Sequence, residues 1–532
     1  MSLLRSSAIV GSLTLVSRIF GFVRDMLVAY FLGASFATDA FFVAFKLPNF
    51  LRRLFAEGAF NAGFLPMFAG MIKTDGKPAA RQFASEAGSF LLVVVTAVTV
   101  LAMLFTPHVV LLMAPGFADE PQKFDLAVAL TRITFPYIVF ISMVSLMGGI
   151  LNSMDKFASV AAAPIGMNLA MIAGLWLFRP YVPTDGHALA WGVVLAGILQ
   201  CVWLGWSCAR LGMLPTLWLR PRLTPQVMTL LARIAPAAIG AGVMQINQVM
   251  DVVLASLLTS NAISFLYYAD RIYELPLGVI GIAVATALLP LLSREIRAGN
   301  IDQVQRHVNQ AIMLVLLFGL PSAAGLFALA TPIIQGLFQY GQFDASDTAA
   351  VSPALIAFAA GLPALLLIKI LSNCFYASQD TKTPMKIAVL CIGVNFISNI
   401  VLMQFFAHVG LAMATSISGW LNAVLLSRQL HARHLFRPDR ALGIFLLKAT
   451  CSSVLMIAVL LVVRPLAAEW LQGPVHLRAL ALSGLIMLGG AVYFCGILLT
   501  RAIDPALLKR LRRSRTTATS AYPAPDDTTQ TG

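Results

Sequence analysis

Fourteen stretches of this chain are apolar over about 20 residues each, the length a helix needs to cross a bilayer core. They lie near 8–31, 37–68, 87–108, 127–150, 157–178, 187–209, 229–258, 262–292, 309–330, 350–376, 384–405, 409–430, 442–463 and 477–499. The 532 residues are 59% hydrophobic and only 11% charged, with mean hydropathy +0.84. A soluble domain carries about 25% charged residues. The chain reads as an all-α polytopic membrane protein with 14 transmembrane helices. Its start, with Arg5 before a long apolar run and no small-residue cleavage site, reads as an uncleaved first helix. The six cysteines are scattered through apolar stretches without metal-binding spacing, as small core residues are.

Seven basic residues interrupt these stretches: Arg18, Arg24, Lys46, Arg52, Arg53, Arg271 and Lys369. A charge at mid-bilayer costs about 2.5–3.5 kcal/mol on the insertion scale, so seven facing lipid would cost on the order of 20 kcal/mol. The charges are therefore expected to line a wet cavity and to meet something anionic there.

The net charge of +14 could suggest nucleic acid, but its placement argues for topology. Counting loops from a cytoplasmic N-terminus, Lys73, Lys77, Arg81, Arg220, Arg222, Arg294, Arg297, Arg428 and Arg437 fall on the N-terminal side, with the tail from Arg501 to Arg515. The far side keeps Lys123, Arg132, Arg179, Arg464 and Arg478. This positive-inside pattern gives N-in and C-in. The basic tail meets anionic membrane lipid, and its polar end is expected to be disordered.

The chain repeats itself at a spacing of about 225 residues. Asp25-Met-Leu-Val-Ala matches Asp251-Val-Val-Leu-Ala, Phe64-Leu-Pro66 matches Leu288-Leu-Pro290, and Gly166-Met-Asn168 matches Gly393-Val-Asn395. Six expected helices lie in each repeat, so the two keep the same orientation and are related by an axis along the membrane normal. The expected organisation is an N-terminal lobe over 1–215 and a C-terminal lobe over 216–436. An extra helix pair follows over 437–505, then the tail over 506–532. Such an architecture supports alternating access around a central cavity.

Within the first expected span, Arg18 and Asp25 share a face, with Gly21 leaving room beside them. In the second, Asp39, Lys46, Arg53 and Glu57 form a polar stripe at i, i+7, i+14 and i+18, flanked by Arg52. Pro48-Asn49 interrupts it. A straight helix over 37–68 would measure about 48 Å, so this segment must bend, tilt or emerge. The phenylalanines on its other face are expected to pack against lipid or helices. In the eighth span Asp270, Arg271 and Glu274 fall within about a turn, and Lys369 lies in the tenth. Guanidinium grips carboxylate or phosphate bidentately, so the pocket suits an anionic, lipid-linked cargo better than a cationic drug. No Walker loop, HExxH or GxSxG is present, which argues against an enzyme. Without a nucleotide-binding segment, transport would run on an ion gradient, the membrane potential or the cargo gradient. Asp251, with Asn247 a turn before it, is the candidate ion-coupling carboxylate, and the pattern equally suits a structural aspartate.

The run Ser17-Arg-Ile-Phe-Gly21-Phe-Val-Arg24-Asp25, the run Lys46-Leu-Pro48-Asn49-Phe-Leu-Arg52-Arg53-Leu-Phe-Ala-Glu57, Tyr267-Tyr-Ala-Asp270-Arg271-Ile-Tyr-Glu274 and Ala377-Ser-Gln-Asp380-Thr resemble the MurJ (MviN) family of lipid II flippases. The resemblance runs from about residue 5 to 510 and includes a larger superfamily of multidrug and oligosaccharide-lipid exporters. It implies movement of undecaprenyl-diphosphate-linked peptidoglycan precursor from the inner to the outer leaflet of the bacterial cytoplasmic membrane. It also implies a role in cell-wall synthesis and fourteen helices. It carries functional roles to Arg18, Arg24, Arg52, Arg53, Arg271, Asp39 and Glu274. Some members bind sodium between helices 7 and 11, where Asp251 and Asp380 fit, so coupling to Na+ or H+ stays open. No other cofactor is expected; cell-wall synthesis proteins are candidate partners and nucleic acid is not. The alternatives are a cation-coupled drug exporter or another lipid-linked oligosaccharide exporter, and a non-transporting cell-wall scaffold.

Overall fold

The computed structural model describes residues 3–52, 60–218, 221–258 and 261–502. They form helices without a strand. In chain order these are α1 (Leu3–Leu32), α2 (Phe36–Leu51), α3 (Phe60–Thr74), α4 (Gly76–Leu104), α5 (Thr106–Met113), α6 (Pro121–Thr134), α7 (Tyr137–Ser153), α8 (Phe157–Phe178), α9 (Asp185–Arg210) and α10 (Pro225–Ser256). They continue with α11 (Ala262–Pro276), α12 (Ile282–Arg297), α13 (Ile301–Ala328), α14 (Ala330–Phe338), α15 (Ala345–Ala377), α16 (Lys382–Ala432), α17 (Arg440–Val463), α18 (Ala468–Gln472) and α19 (Val475–Leu499).

Nine segments among the described residues are long and apolar enough to cross a membrane. They take in ten of the fourteen expected spans. One of them, Lys382–Ala432, covers two, because α16 breaks at Ala407 (φ 47°, ψ −130°) between the two expected stretches. The other four, expected at 8–31, 37–68, 229–258 and 262–292, each include residues whose side chains are not described. These are the first two spans of each repeat, and they hold Arg18, Arg24, Asp25, Asp39, Lys46, Arg52, Asp251, Asp270, Arg271 and Glu274. A π-turn at Leu277–Gly281 lies within the last. Of the segment expected at 37–68, α2 ends at Leu51 and α3 starts at Phe60, and residues 53–59 lie outside the described residues.

Local signals set the helix starts. The Ser35 hydroxyl caps α2 by accepting from the Thr38 N–H, and Asp39 adds an acid to the first turn. Thr224 caps α10 ahead of Pro225, whose missing N–H costs nothing at a first turn. Asp439 accepts from the Leu442 N–H at 2.7 Å and starts α17.

Packing gathers the chain into two compact units. The first comprises the described residues up to Tyr273 with Ile334–Phe358 and Ala388–Ser418. Its core contains a stack of phenylalanines, with Phe64 lying 5.1 Å from Phe60, 5.2 Å from Phe68 and 5.6 Å from Phe83 between ring centroids. α8 and α9 approach so closely that a Cβ on Gly174 would sit 2.6 Å from the Gly192 Cα. Small residues allow this in helix pairs that lack a hydrophobic drive to associate.

In the same unit the turn after α1 is clasped by the 340–347 segment. Gln342 N donates to Tyr30 O at 2.9 Å, and the Asp347 carboxylate accepts from Ala34 N at 3.2 Å. Gly33 has φ +62°, and a Cβ there would lie 2.5 Å from the Gln342 carbonyl oxygen. Gly33→Ala is therefore expected to cost about 2 kcal/mol or more, from left-handed strain plus a backbone clash. Gly166→Ala, with nothing within 4 Å of its Cβ, is the matched control. Thermal unfolding of the two purified variants measures the difference.

The second unit comprises Glu274–Ile333, Ala359–Ile387 and the described residues from Gly419 on. Here α17 packs against α13 and α19. Met456 lies on Gly325 and Gly489, and Ser452 on Gly496. Leu366 of α15 fills the space beside Gly319, and the Lys369 stem lies on Gly281.

Candidate functional site

The first unit brings three of the expected charged residues together around one carboxylate. Arg24 and Asp25 are neighbours late in α1, with residue exposures of 6% and 3%. Arg24 Nε and Nη2 both donate to Asp25 Oδ1, at 3.0 and 2.7 Å. Arg271, on α11, pairs with the other oxygen, Oδ2, at 3.0 Å. Two guanidiniums share one carboxylate, so the three side chains by themselves sum to one positive charge. Arg271 keeps 34% of its side chain exposed, whereas the Arg24 and Asp25 side chains keep 7% and 4%.

Neutral groups complete the cluster. Arg24 Nη1 donates to Asn168 Oδ1 at 3.0 Å. Asn168, on α8, donates to the Ser17 carbonyl at 3.0 Å. Its amide lies 3.4 Å from where a Gly21 Cβ would stand, so Gly21 makes room for this contact. Tyr267 OH donates to Asp25 Oδ1 at 2.9 Å and accepts from Arg271 Nη2 at 3.0 Å.

Asp39 is placed differently. It forms a buried ion pair with Lys123 of α6 at 3.0 Å and accepts from Ser264 N at 2.8 Å and from the Ser264 hydroxyl. Lys123 lies 4.5 Å above the Phe117 ring and 3.8 Å from Glu120. Lys123 was expected at the loops of the far side, yet its side chain is only 4% exposed. Asp39 is thereby held as one partner of a closed network joining α2, α6 and α11.

The remaining expected residues are spread out. Arg18 is exposed on α1. Lys46, Asn49 and Arg52 are half-buried toward the end of α2, where Arg52 Nε donates to Asn49 Oδ1 at 2.9 Å. Arg53 and Glu57 lie outside the described residues. Asp270 is half-buried on α11. Glu274 and Lys369 belong to the second unit, the first exposed and the second half-buried.

The two candidate ion ligands differ as well. Asp251 of α10 accepts from Asn399 Nδ2 at 3.1 Å, and Asn399 also donates to Asn395 Oδ1 at 3.1 Å. Asn399 Oδ1 is buried without a hydrogen-bond partner. The repeat equates Asp25 with Asp251 and Asn168 with Asn395, so matched residues build polar nodes in both halves. Asp380, between α15 and α16, accepts from Thr383 Oγ1 at 2.6 Å and Thr383 N at 3.0 Å, and pairs with Arg433 at 2.7 Å. These bonds, those from Thr383 foremost, hold its carboxyl well below the usual carboxylate range. Both of its oxygens are taken. Among the described residues, no three His, Cys, Asp or Glu side chains gather as a metal site.

Sequence reasoning missed the roles of Tyr267, Asn168, Lys123 and Asn399. The signal for Asn168 was its place in the repeat, and that for Tyr267 its spacing four residues before Arg271.

An all-helical, multi-span chain with buried ionisable groups in its helices belongs to the class of polytopic membrane carriers. The family model of the lipid II flippase MurJ matches residues 28–480. A probable lipid II flippase MurJ of Rhizobium meliloti is 40% identical over 97% of this chain and 96% of its own length. The lipid II flippase MurJ of Burkholderia cenocepacia is 37% identical over 82% of this chain and 86% of its own. A solved lipid II flippase MurJ in an inward closed conformation superposes with TM-score 0.76 at 28% identity, covering 92% of this chain and 98% of that one. An inward-facing multidrug resistance MATE family transporter of the MOP superfamily shares the fold, with TM-score 0.66 at 15% identity over 80% of this chain and 98% of its own. The chain belongs to the MurJ lipid II flippase family.

Proposed function

We infer that the chain is a lipid II flippase, a transporter and not an enzyme, which carries the diphosphate-linked precursor from the inner to the outer leaflet by alternating access. The observation that carries this reading is Asp25 shared by Arg24 and Arg271. The carboxylate keeps the buried Arg24 guanidinium and the half-buried Arg271 guanidinium from repelling each other. An arriving diphosphate offers stronger bidentate acceptors and competes with Asp25 for them. Arg24 and Arg271 are the proposed diphosphate ligands, with Arg52 and Arg18 supporting capture. Lys46, Asn49, Asp270, Glu274 and Lys369, and Arg53 and Glu57 beyond the described residues, are proposed cavity contacts on the sequence pattern. Asp39, tied to Lys123 and Ser264, acts in this scheme by holding helices together. The excess of basic residues on one side supports an N-in, C-in orientation, and cell-wall synthesis proteins are the proposed further partners.

Coupling to a monovalent cation fits Asp251. Its carboxylate and the unpartnered Asn399 Oδ1 are oxygen ligands of the kind hard cations prefer. Such an ion would neutralise the carboxylate. Asp380 does not fit, because Thr383 and Arg433 occupy it. Leaflet exchange of labelled lipid II in reconstituted vesicles, with sodium, proton and voltage gradients imposed separately, tests the reading. Exchange is expected, lost in Arg24→Ala and Arg52→Ala. Normal exchange by both variants would overturn the assignment.

A further inference from the structure

We propose that Tyr267 is a positioning residue of the cargo site, whose hydroxyl holds Arg271 against the Arg24–Asp25 pair without spending charge. The inference rests on the flippase reading and names the residue that sets its anion site. Guanidinium groups donate and do not accept, so the single hydroxyl proton of Tyr267 has one acceptor among the three charged groups around it. That acceptor is Asp25 Oδ1, at 2.9 Å. The oxygen lone pairs are left to Arg271 Nη2 at 3.0 Å and Arg24 Nη2 at 3.5 Å. The negative end of a neutral dipole thus lies between two cations. A carboxylate at this point would add a negative charge beside the groups that attract cargo. A plain ring would leave the Arg271 Nη2 contact unmade.

The ring is fixed independently of the hydroxyl. It stacks on Phe42 with centroids 3.8 Å apart and planes 26° from parallel, and the Arg271 guanidinium lies 4.8 Å from its centre. Neighbouring positions on the same face of α11 are also engaged. Ser264 bonds Asp39, and Tyr268 OH donates to the Gly33 carbonyl at 3.1 Å. Ser264, Tyr267, Tyr268 and Arg271 stand at i, i+3, i+4 and i+7, so one helix face reads both the anion site and the α1–α2 turn. When cargo takes Arg271 from Asp25, Tyr267 is the link in that face that loses a partner.

The test is binding of farnesyl diphosphate to the full-length protein in lipid nanodiscs. Tyr267→Phe, which keeps the ring, is expected to weaken binding about tenfold, the worth of one hydrogen bond to a charged group. Arg271→Ala should weaken it further. In an Arg271→Lys background, which keeps the charge but lacks the fork, Tyr267→Phe should change affinity less than twofold. Wild-type affinity in Tyr267→Phe, with Arg271→Ala impaired, would overturn the positioning role and leave the flippase reading intact. An equal loss from Tyr267→Phe in both backgrounds would also overturn it, by showing action independent of Arg271, even were the variant less stable. Equal binding by wild type and Arg271→Ala would remove the cargo site itself.

Discussion

Arg24→Ala is expected to lower lipid II leaflet exchange by about two orders of magnitude while the protein still inserts and folds. The size follows from what the guanidinium does. A bidentate, charge-assisted grip on phosphate is worth about 3 kcal/mol, or roughly a hundredfold. Removing Arg24 also takes one positive charge from the cluster. Asp25 keeps Arg271 and Tyr267 as partners, so the carboxylate is not stranded. Asn168 loses its Arg24 partner but keeps the Ser17 carbonyl. Arg24→Lys retains the charge but not the fork, and should recover only part of the activity. The measurement is exchange in reconstituted vesicles, normalised to inserted protein. Wild-type rates in Arg24→Ala would take this residue out of the cargo site.

The second large effect is on stability. Asp39→Ala leaves Lys123 as a buried cation whose nearest carboxylate, Glu120, lies 3.8 Å away and is half exposed. It also removes the acceptor of both Ser264 donors. Breaking one side of a buried pair costs about 3–5 kcal/mol, most of it the penalty of the stranded charge. Asp39→Ala should therefore unfold far more readily in detergent. Asp39→Leu combined with Lys123→Met should lose much less than the two single changes summed. Strict additivity in the melting curves would show that the two residues are not coupled.

Much of this protein is readable in its sequence because a bilayer punishes deviation. Ten of the fourteen expected spans coincide with segments long and apolar enough to cross, and the break in α16 falls at Ala407, between two expected stretches. The other four include residues whose side chains are not described. Arg24, Asp25 and Arg271 stood out because ionisable groups in apolar surroundings are conspicuous. Tyr267 and Asn168 did not, since neutral polar residues disturb neither composition nor hydropathy. Lys123 was placed at a loop because it lies near a helix start, and only folding shows that Asp39 waits for it. One residue's partner across 84 positions is a tertiary fact that no local pattern encodes.

Sharing one carboxylate between two guanidiniums has an electrical consequence for the proposed cycle. Arg24, Asp25 and Arg271 by themselves sum to one positive charge. A diphosphate diester, with one negative charge on each phosphate, reverses the sign of that sum. Across an inside-negative membrane, the loaded cluster is pushed outward and the vacant cluster is pulled back inward. A full elementary charge crossing 100 mV is worth about 2.3 kcal/mol, so whatever fraction of the field the trio traverses favours both strokes. The second guanidinium held on Asp25 would then bias the turnover.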